Sequence, residues 1–331
     1  MTEKELIQRS LSCLHASENT VQEVIHMAET KKSTHRGRTI ALVALAACLI
    51  FALAVGVAAS EVRTFRLDEP ISMDRIIDDA FGTGIAGHDA YEVDTGLSIE
   101  QYPAVLRVPA DAVLAEQLIG YYYNELGEGL RFGGYTVSLH GYFLDENGVG
   151  VLAFEVENPD GIGLCKYATG IGDTVPPLIF HLTDSRGNAV DMNCFAETGS
   201  FSDTHALYFA YITPFFPFEP GMTLTFSIEW MMEDESSGYS CVLAPEKRIP
   251  AKSFEAGGIR FSVSPLGFVT DAEYPPAGSL SLVFADGSEY LVESDTEHNF
   301  ASSSIIRDGG IGLAFNRLVD PENISSVKLL P

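Results

Sequence analysis

The sequence predicts a mainly β protein: two antiparallel β-sandwiches, preceded by short N-terminal helices and one transmembrane helix. Three observations carry this expectation. After Gly133, apolar and polar residues alternate in short runs bounded by Gly-, Asn- and Asp-containing turns. No long helical pattern separates those runs, which disfavours a parallel sheet and favours sheet-on-sheet packing. One uncharged apolar run, residues 40–59, stands apart from everything that follows it.

The totals allow this plan. The chain has 331 residues, and 46% are hydrophobic, enough for two or three domains with real cores. The formal charge of −26 is unevenly spread. Residues 1–60 carry six Lys/Arg and five Asp/Glu, whereas residues 61–331 carry fourteen and forty-one. A surface so acidic repels phosphate backbones, so nucleic acid is excluded as a partner of the later part. The five cysteines, Cys13, Cys48, Cys165, Cys194 and Cys241, are sparse and form no C-x-x-C. They fit buried thiols better than a disulfide scaffold or a zinc ribbon. A disulfide among Cys165, Cys194 and Cys241 is left open.

Residues 1–38 read as a cytoplasmic helical segment. Leu6, Ile7, Leu11 and Leu14 fall on one helical stripe. Thr20 and Glu23 form a capping box, and Val21, Val24, Ile25 and Ala28 follow at helical spacing. Two such short helices cannot bury their own apolar faces. Leu11, Leu14, Val21, Val24 and Ile25 are therefore the candidate partner-binding residues.

Residues 39–60 read as the transmembrane helix. The 20 residues 40–59 include ten of Leu, Ile, Val or Phe. A helix of that length spans about 30 Å, and insertion is favoured by roughly 3–6 kcal/mol. Lys31, Lys32, Arg36 and Arg38 precede the run, which places the N-terminus inside and the acidic bulk outside. The small residues of "VGVAAS" resemble a signal-peptidase site, but the run is longer than a secretory core and 38 residues precede it. Retention as an anchor is the expectation.

"LIQRSLSCLHASENTVQEVIHMAE" ahead of a single span resembles the N-terminal segment of Gram-positive single-pass membrane proteins related to anti-sigma factors. The resemblance implies cytoplasmic helices that hold a sigma factor and an outer part that receives a signal. The H-x-x-x-C-x-x-C spacing of zinc-type anti-sigma domains is absent, so no metal is expected there.

Residues 61–131 read as a mixed helical stalk. "SMDRIIDDAFG" predicts a helix with Met73, Ile76, Ile77 and Phe81 on one side. A second helix is predicted from Pro109, with Leu114, Leu118 and Tyr122 on its stripe. The run Tyr121, Tyr122 and Tyr123 is expected to pack one ring inward.

Residues 132–248 read as the first sandwich. "DENG" and "DSRG" are each predicted to close a hairpin, and strands follow at "THALYFAYITPF" and "GMTLTFSIEWMME". The Cys–Trp–Cys order of antibody domains is absent, so "immunoglobulin-like" describes architecture alone. Residues 249–331 read as a second, smaller sandwich, with hairpins at "EAGG" and Asp286-Gly287 and a "DPEN" turn before the last strand. "LVFADGSEYLV", "FNRLVDPENISSVKL" and "GYTVSLHGYFLDENGVGVLAFEVENPDG" resemble the β-rich ectodomain, a domain of unknown function, that accompanies those membrane proteins. That resemblance implies no catalytic residue.

The chemistry of the chain points away from catalysis. It lacks G-x-S-x-G and H-E-x-x-H, and "GTGIAG" at residues 82–87 follows no predicted strand. His140 and His181 fall in predicted strands and read as structural. Asp74 and Asp78, a helical turn apart, read as a solvated face. The acidic residues of "DENG" and "DSRG" are explained by turn chemistry. No enzyme, cofactor or metal is expected. The expected function is transmembrane signalling by an extracytoplasmic binding body, with the membrane, a cytoplasmic sigma factor or other regulator and an outer ligand as partners. The alternative is an anchored cell-envelope binding module that does not signal.

Overall fold

Residues 63–81, 84–89, 105–108, 110–162, 178–197, 202, 204–215, 217–230, 235–272, 279–294, 299–307 and 309–330 are described by the computed structural model. Leu11, Leu14, Val21, Val24 and Ile25, both inner helices, the apolar run at 40–59 and Cys165 lie outside the described residues. Among the described residues, no helix is long and apolar enough to cross a membrane.

The described residues belong to one unit, Val62–Pro331, built mainly from antiparallel strands. An eight-stranded sheet comprises β1 (Arg63–Arg66), β2 (Gly84–Asp89), β3 (Val105–Arg107), β4 (Asn124–Phe132), β5 (Tyr135–Leu144), β6 (Gly150–Glu157), β8 (Val190–Glu197) and β9 (His205–Pro214). Its order is β1-β4-β5-β6-β9-β8-β2-β3. Facing it is a three-stranded sheet of β7 (Leu178–Asp184), β10 (Leu224–Trp230) and β11 (Glu235–Leu243).

Alternation fills the space between these sheets. Leu178, Phe180 and Leu182 of β7 and Leu224, Phe226 and Ile228 of β10 meet Phe154 and Tyr208 of the larger sheet. The Phe154 ring lies 4.8 Å from Phe180, 5.4 Å from Tyr208 and 5.6 Å from Phe226, centroid to centroid. Cys194 and Cys241 sit in this core as buried thiols.

The eight-stranded sheet is covered on its other face too. Phe143, Val151, Ala153, Leu207, Phe209 and Tyr211 point away from the first core. They meet two helices, α1 (Met73–Phe81) and α2 (Ala112–Ile119), through Ile76, Ala80, Phe81, Ala115 and Ile119. Burial on both faces is why "GYFL", "GVLAF" and "ALYFAYI" read as continuous apolar runs instead of alternating ones.

Residues 61–131, set apart as a stalk in the sequence reading, thus contribute β1, β2 and β3 to the same sheet as β5, β6 and β9. One local expectation is refined and one corrected. Asp111 caps α2 through Val113 N–H and Leu114 N–H, and Ala115 and Ile119 are its fully buried residues, with Leu118 and Tyr122 of the expected stripe packed partly buried against the same core. A 3₁₀ turn over Gly120–Tyr122 then takes the tyrosines off the helix. And "DSRG" closes a turn with one antiparallel bridge, Thr183 to Ala189, after which the strands part into different sheets: β7 pairs with β10, whereas β8 pairs with β9.

The C-terminal part repeats the layering at smaller scale. A five-stranded sheet, β12 (Lys252–Ala256), β13 (Ile259–Val263), β14 (Gly267–Thr270), β18 (Gly310–Phe315) and β17 (Phe300–Ile306) in spatial order, faces β16 (Glu289–Glu293), β15 (Ser279–Phe284) and β19 (Ile324–Leu330). Phe261, Phe268, Phe315 and Tyr290 fill the space between them. Leu266, Ala301 and Ala314 join the apolar layer on the outer face of the larger sheet, so the two parts share a core at their junction.

Candidate functional site

The junction of the two parts begins at the turn between β5 and β6. Asp145 Oδ1 accepts Asn147 N–H and Val149 N–H, each at 2.8 Å, which closes the turn, and Gly148 supplies the positive φ of 85°. Asp184 closes the "DSRG" turn in the same way, through Arg186 N–H and Asn188 N–H. Both aspartates are buried, but their carboxyls are shifted in opposite directions: the hydrogen bonds from Asn188 and Arg186 hold Asp184 below the usual carboxylate range against burial. For Asp145, burial wins and pushes the carboxyl up to about 7, against the pull of the Ser264 hydroxyl and the turn amides.

The backbone next to Asp145 receives the chain entering the second part. Glu146 N–H donates to Ile249 O at 3.0 Å, and Ile249 N–H donates to Leu144 O at 3.1 Å. The Arg248 guanidinium donates to the Asp145 carbonyl at 3.5 Å and to the Met222 carbonyl, and it stacks 4.8 Å from the Phe218 ring. Burial lowers its pKa. On the far side of the turn, Asn147 grips β13: its Nδ2 donates to Ser262 O at 2.9 Å, and Ser262 Oγ donates to Asn147 Oδ1 at 2.7 Å.

Beside this clamp lies a cleft of about 340 Å³. Pro217 and Phe218, which follow β9, form its wall on the first part, and Val269 and Ile306 face it from the second. Its charged side chains are Arg260, Asp271 and Arg307. Arg260 N–H donates to Asp271 Oδ1 at 3.0 Å, which fixes Asp271, while the Arg260 side chain stands 3.9 Å from Asp271 Oδ2. Thr270 Oγ1 accepts Ile311 N–H at 2.8 Å and donates to Ala272 O at 2.7 Å. Arg307 N–H donates to Phe215 O at 2.7 Å, tying β17 to the end of β9. The cleft's frame is thus held by backbone bonds, and its chemistry rests on the three charged groups.

Two further polar clusters lie on the outer face of the eight-stranded sheet. A bulge at residues 139–141 sets His140 beside Glu155, with His140 Nε2 3.1 Å from Oε2 and His205 Nε2 3.5 Å from Oε1. Ile71 N–H donates to His140 Nδ1 at 3.1 Å, so the ring proton is on Nε2, facing the carboxylate. The hydrogen bond from His140, helped by His205 on the other carboxylate oxygen, holds the Glu155 pKa below the usual carboxylate range against burial. Tyr123 lies over Gly141, where a Cβ would overlap its ring. In the second cluster, Arg107 reaches the C-terminal end of α1. Its Nη1 donates to the Asp79 carbonyl and lies 3.2 Å from Glu197 Oε2, and its Nε donates to Tyr211 Oη at 3.0 Å. Tyr211 in turn donates to Ala80 O at 3.1 Å. Both clusters dock the α1 segment onto the sheet.

The partner-binding candidates of the N-terminal segment lie outside the described residues. His140 is buried in the cluster above, and His181 lies 3.1 Å from Glu229 on the three-stranded sheet. Asp79 pairs with Arg75 at 3.2 Å. Among the described residues, no group of three or more His, Cys, Asp or Glu is arranged to hold a metal ion. The cleft itself was not read from the sequence, because Asn147, Phe218, Arg260 and Arg307 meet only through tertiary folding.

No family model matches the chain, and no curated protein matches it. Among solved structures, the crystal structure of a conserved domain protein from Bacillus anthracis is similar over 62% of this chain and 76% of its own, at 13% identity and a TM-score of 0.37. A likeness that distant says nothing of what this chain binds.

Proposed function

We propose that the chain is a single-pass membrane protein with its N-terminus in the cytoplasm and its acidic β-rich body outside. The body, two sandwiches of immunoglobulin-like architecture, binds a ligand and catalyses nothing. Residues 1–38 hold a cytoplasmic regulator, in the manner of anti-sigma-related membrane proteins. The observation that carries this reading is the partition of charge about residues 40–59. Four basic residues and no acid lie in the stretch 31–38, and an excess of twenty-seven negative charges follows residue 60.

The test is affinity capture from the native host, using the full chain and its Val24→Asp variant in detergent. Recovery of a sigma factor with the first and not the second is the expected result. Equal recovery, or none, sinks the signalling role. A correctly inserted chain that captures nothing leaves an anchored binding module.

A further inference from the structure

We infer that His140 is an acid-sensitive latch: proton uptake by its ring releases residues 68–72 from the eight-stranded sheet. The latch belongs to the β-rich body and goes beyond the signalling reading, standing whether or not residues 1–38 hold a regulator.

The segment is held at few points. Leu67 N–H donates to Gly127 O at 2.9 Å, and the far end of α1 is tied down by Arg107 and Tyr211 through the Asp79 and Ala80 carbonyls. Between those ends, Ile71 N–H donates to His140 Nδ1 at 3.1 Å. Tyr123 Oη bridges more loosely, 3.5 Å from the Ile71 carbonyl and 3.4 Å from that of His140. Ile71 itself packs partly buried against the apolar layer beneath α1.

A backbone N–H is accepted only by an imidazole nitrogen that carries no proton. The docked segment therefore demands the neutral ring. His140 is 3% exposed, so water does not replace the bond while the segment is docked. A proton added to the ring goes to Nδ1, because Nε2 already carries one toward Glu155. Two N–H donors then face each other across 3.1 Å, and the bond is lost with a donor stranded inside. Moving the segment away rehydrates both.

The groups around the ring favour this uptake. Glu155 of β6 lies 3.1 Å from Nε2 and is held below the usual carboxylate range, chiefly by the hydrogen bond from His140, so it is a ready counter-ion for the imidazolium. His205, at the start of β9, lies 3.5 Å from the other oxygen of Glu155 and competes for the same charge. Burial, aided by Glu125 of β4, pushes Tyr123 up to about 12, so its hydroxyl stays neutral. Asp68 and Glu69 on the segment, and Asp74, Arg75 and Asp78 on α1, are exposed. Docking is thus complete above the ordinary imidazole range and weakens as pH falls through it, about 6.5. The Arg107 cluster contains no imidazole, so the far end of α1 stays in place.

The test follows amide hydrogen exchange of the full chain in detergent micelles, corrected for the intrinsic pH dependence of exchange, from about pH 7.5 to about pH 5.5. We expect peptides covering residues 68–75 to lose about tenfold in protection, while those covering β6, β9 and the last turn of α1 keep theirs. His140→Asn retains an acceptor near the Nδ1 position and does not titrate, so its protection should be flat with pH. His205→Asn should retain the pH-dependent loss. Ring-nitrogen NMR of histidine-labelled chain does not depend on either variant folding: Nδ1 of His140 should be unprotonated at neutral pH and gain its proton over the interval in which protection falls. Unchanged protection across the range, a loss that persists in His140→Asn, a loss removed by His205→Asn, or a proton already on Nδ1 at neutral pH overturns the inference. Equal loss in β6 and β9 does so too, because the whole sheet is then opening.

Discussion

Arg248 donates to the backbone carbonyl of Asp145 at 3.5 Å, and the Asp145 carboxyl beside it is fully buried with no aligned donor for Oδ2. An ionised carboxylate in that position is costly, so folding favours its neutral form. The folded pKa, about 7, lies above the ordinary Asp value of 3.8. The acid therefore contributes stability that is fully present below the ordinary carboxylate range and is lost as pH rises through about 7. Between about pH 5 and pH 8 the loss should be on the order of 2 kcal/mol. Asp145→Asn keeps an oxygen for the two turn amides and removes the titration, so its stability should be flatter with pH. Urea unfolding followed by the single tryptophan, Trp230, checks this, and parallel pH profiles for the two proteins refute it.

Glu155 behaves in the opposite sense. Its pKa is lowered, chiefly by the hydrogen bond from His140. Its contribution is present above the ordinary carboxylate range and is lost as pH falls through the depressed folded pKa. Glu155→Gln should cost about 1–3 kcal/mol near neutrality and less in acid. An acid titration of unfolding free energy, wild type against variant, should show the two curves converging. A constant gap means that Glu155 acts through packing alone.

Arg107 ties α1 to the sheet with a side chain that has no solvent exposure. Arg107→Ala breaks a buried ion pair with Glu197 and removes the donors to the Asp79 carbonyl and the Tyr211 hydroxyl, and should cost about 3–5 kcal/mol. Arg107→Lys keeps the charge but loses the fork that serves Asp79, Glu197 and Tyr211 together, so it should restore only part. Hydrogen exchange localises the effect: the last amides of α1 should exchange faster in both variants while those of β6 and β9 stay slow. Uniform acceleration would mean that Arg107 supports the whole sheet.

Most strands and both described helices were legible locally, because period-2 and period-3.6 patterns are local signals. What joins them was not. Arg63 pairs with Arg131, and Ala86 with Glu197, so β1 and β2 find their sheet only through distant partners. Each is too short to announce a face, and residues 61–131 therefore read as a stalk. One signal did point to the answer. The unbroken apolar runs of β5, β6 and β9 require cover on both faces, and the amphipathic helix at Ile76, Ile77 and Phe81 is the nearest cover the chain offers. The cleft had no such signal: Asn147 and Ser262 are 115 residues apart, and neither pattern nor spacing relates them.

That pair gives the last prediction. Asn147 and Ser262 exchange two hydrogen bonds across the junction, while Val149, Leu266 and Ala314 share an apolar core close by. If the clamp sets the junction, each of Asn147→Ala and Ser262→Ala breaks the side-chain bond to the other, and the double variant costs less than the sum of the singles by about 1 kcal/mol. If the apolar layer alone sets it, the two costs add. Asn147→Ala also removes the bond to the Ser262 carbonyl, so it should be the more damaging single change. In either case the unit should unfold in one transition, because residues of both parts are buried in one apolar cluster at the junction. The double-mutant cycle, measured by urea unfolding at fixed pH, decides between the polar clamp and the apolar layer as the element that holds the cleft in shape.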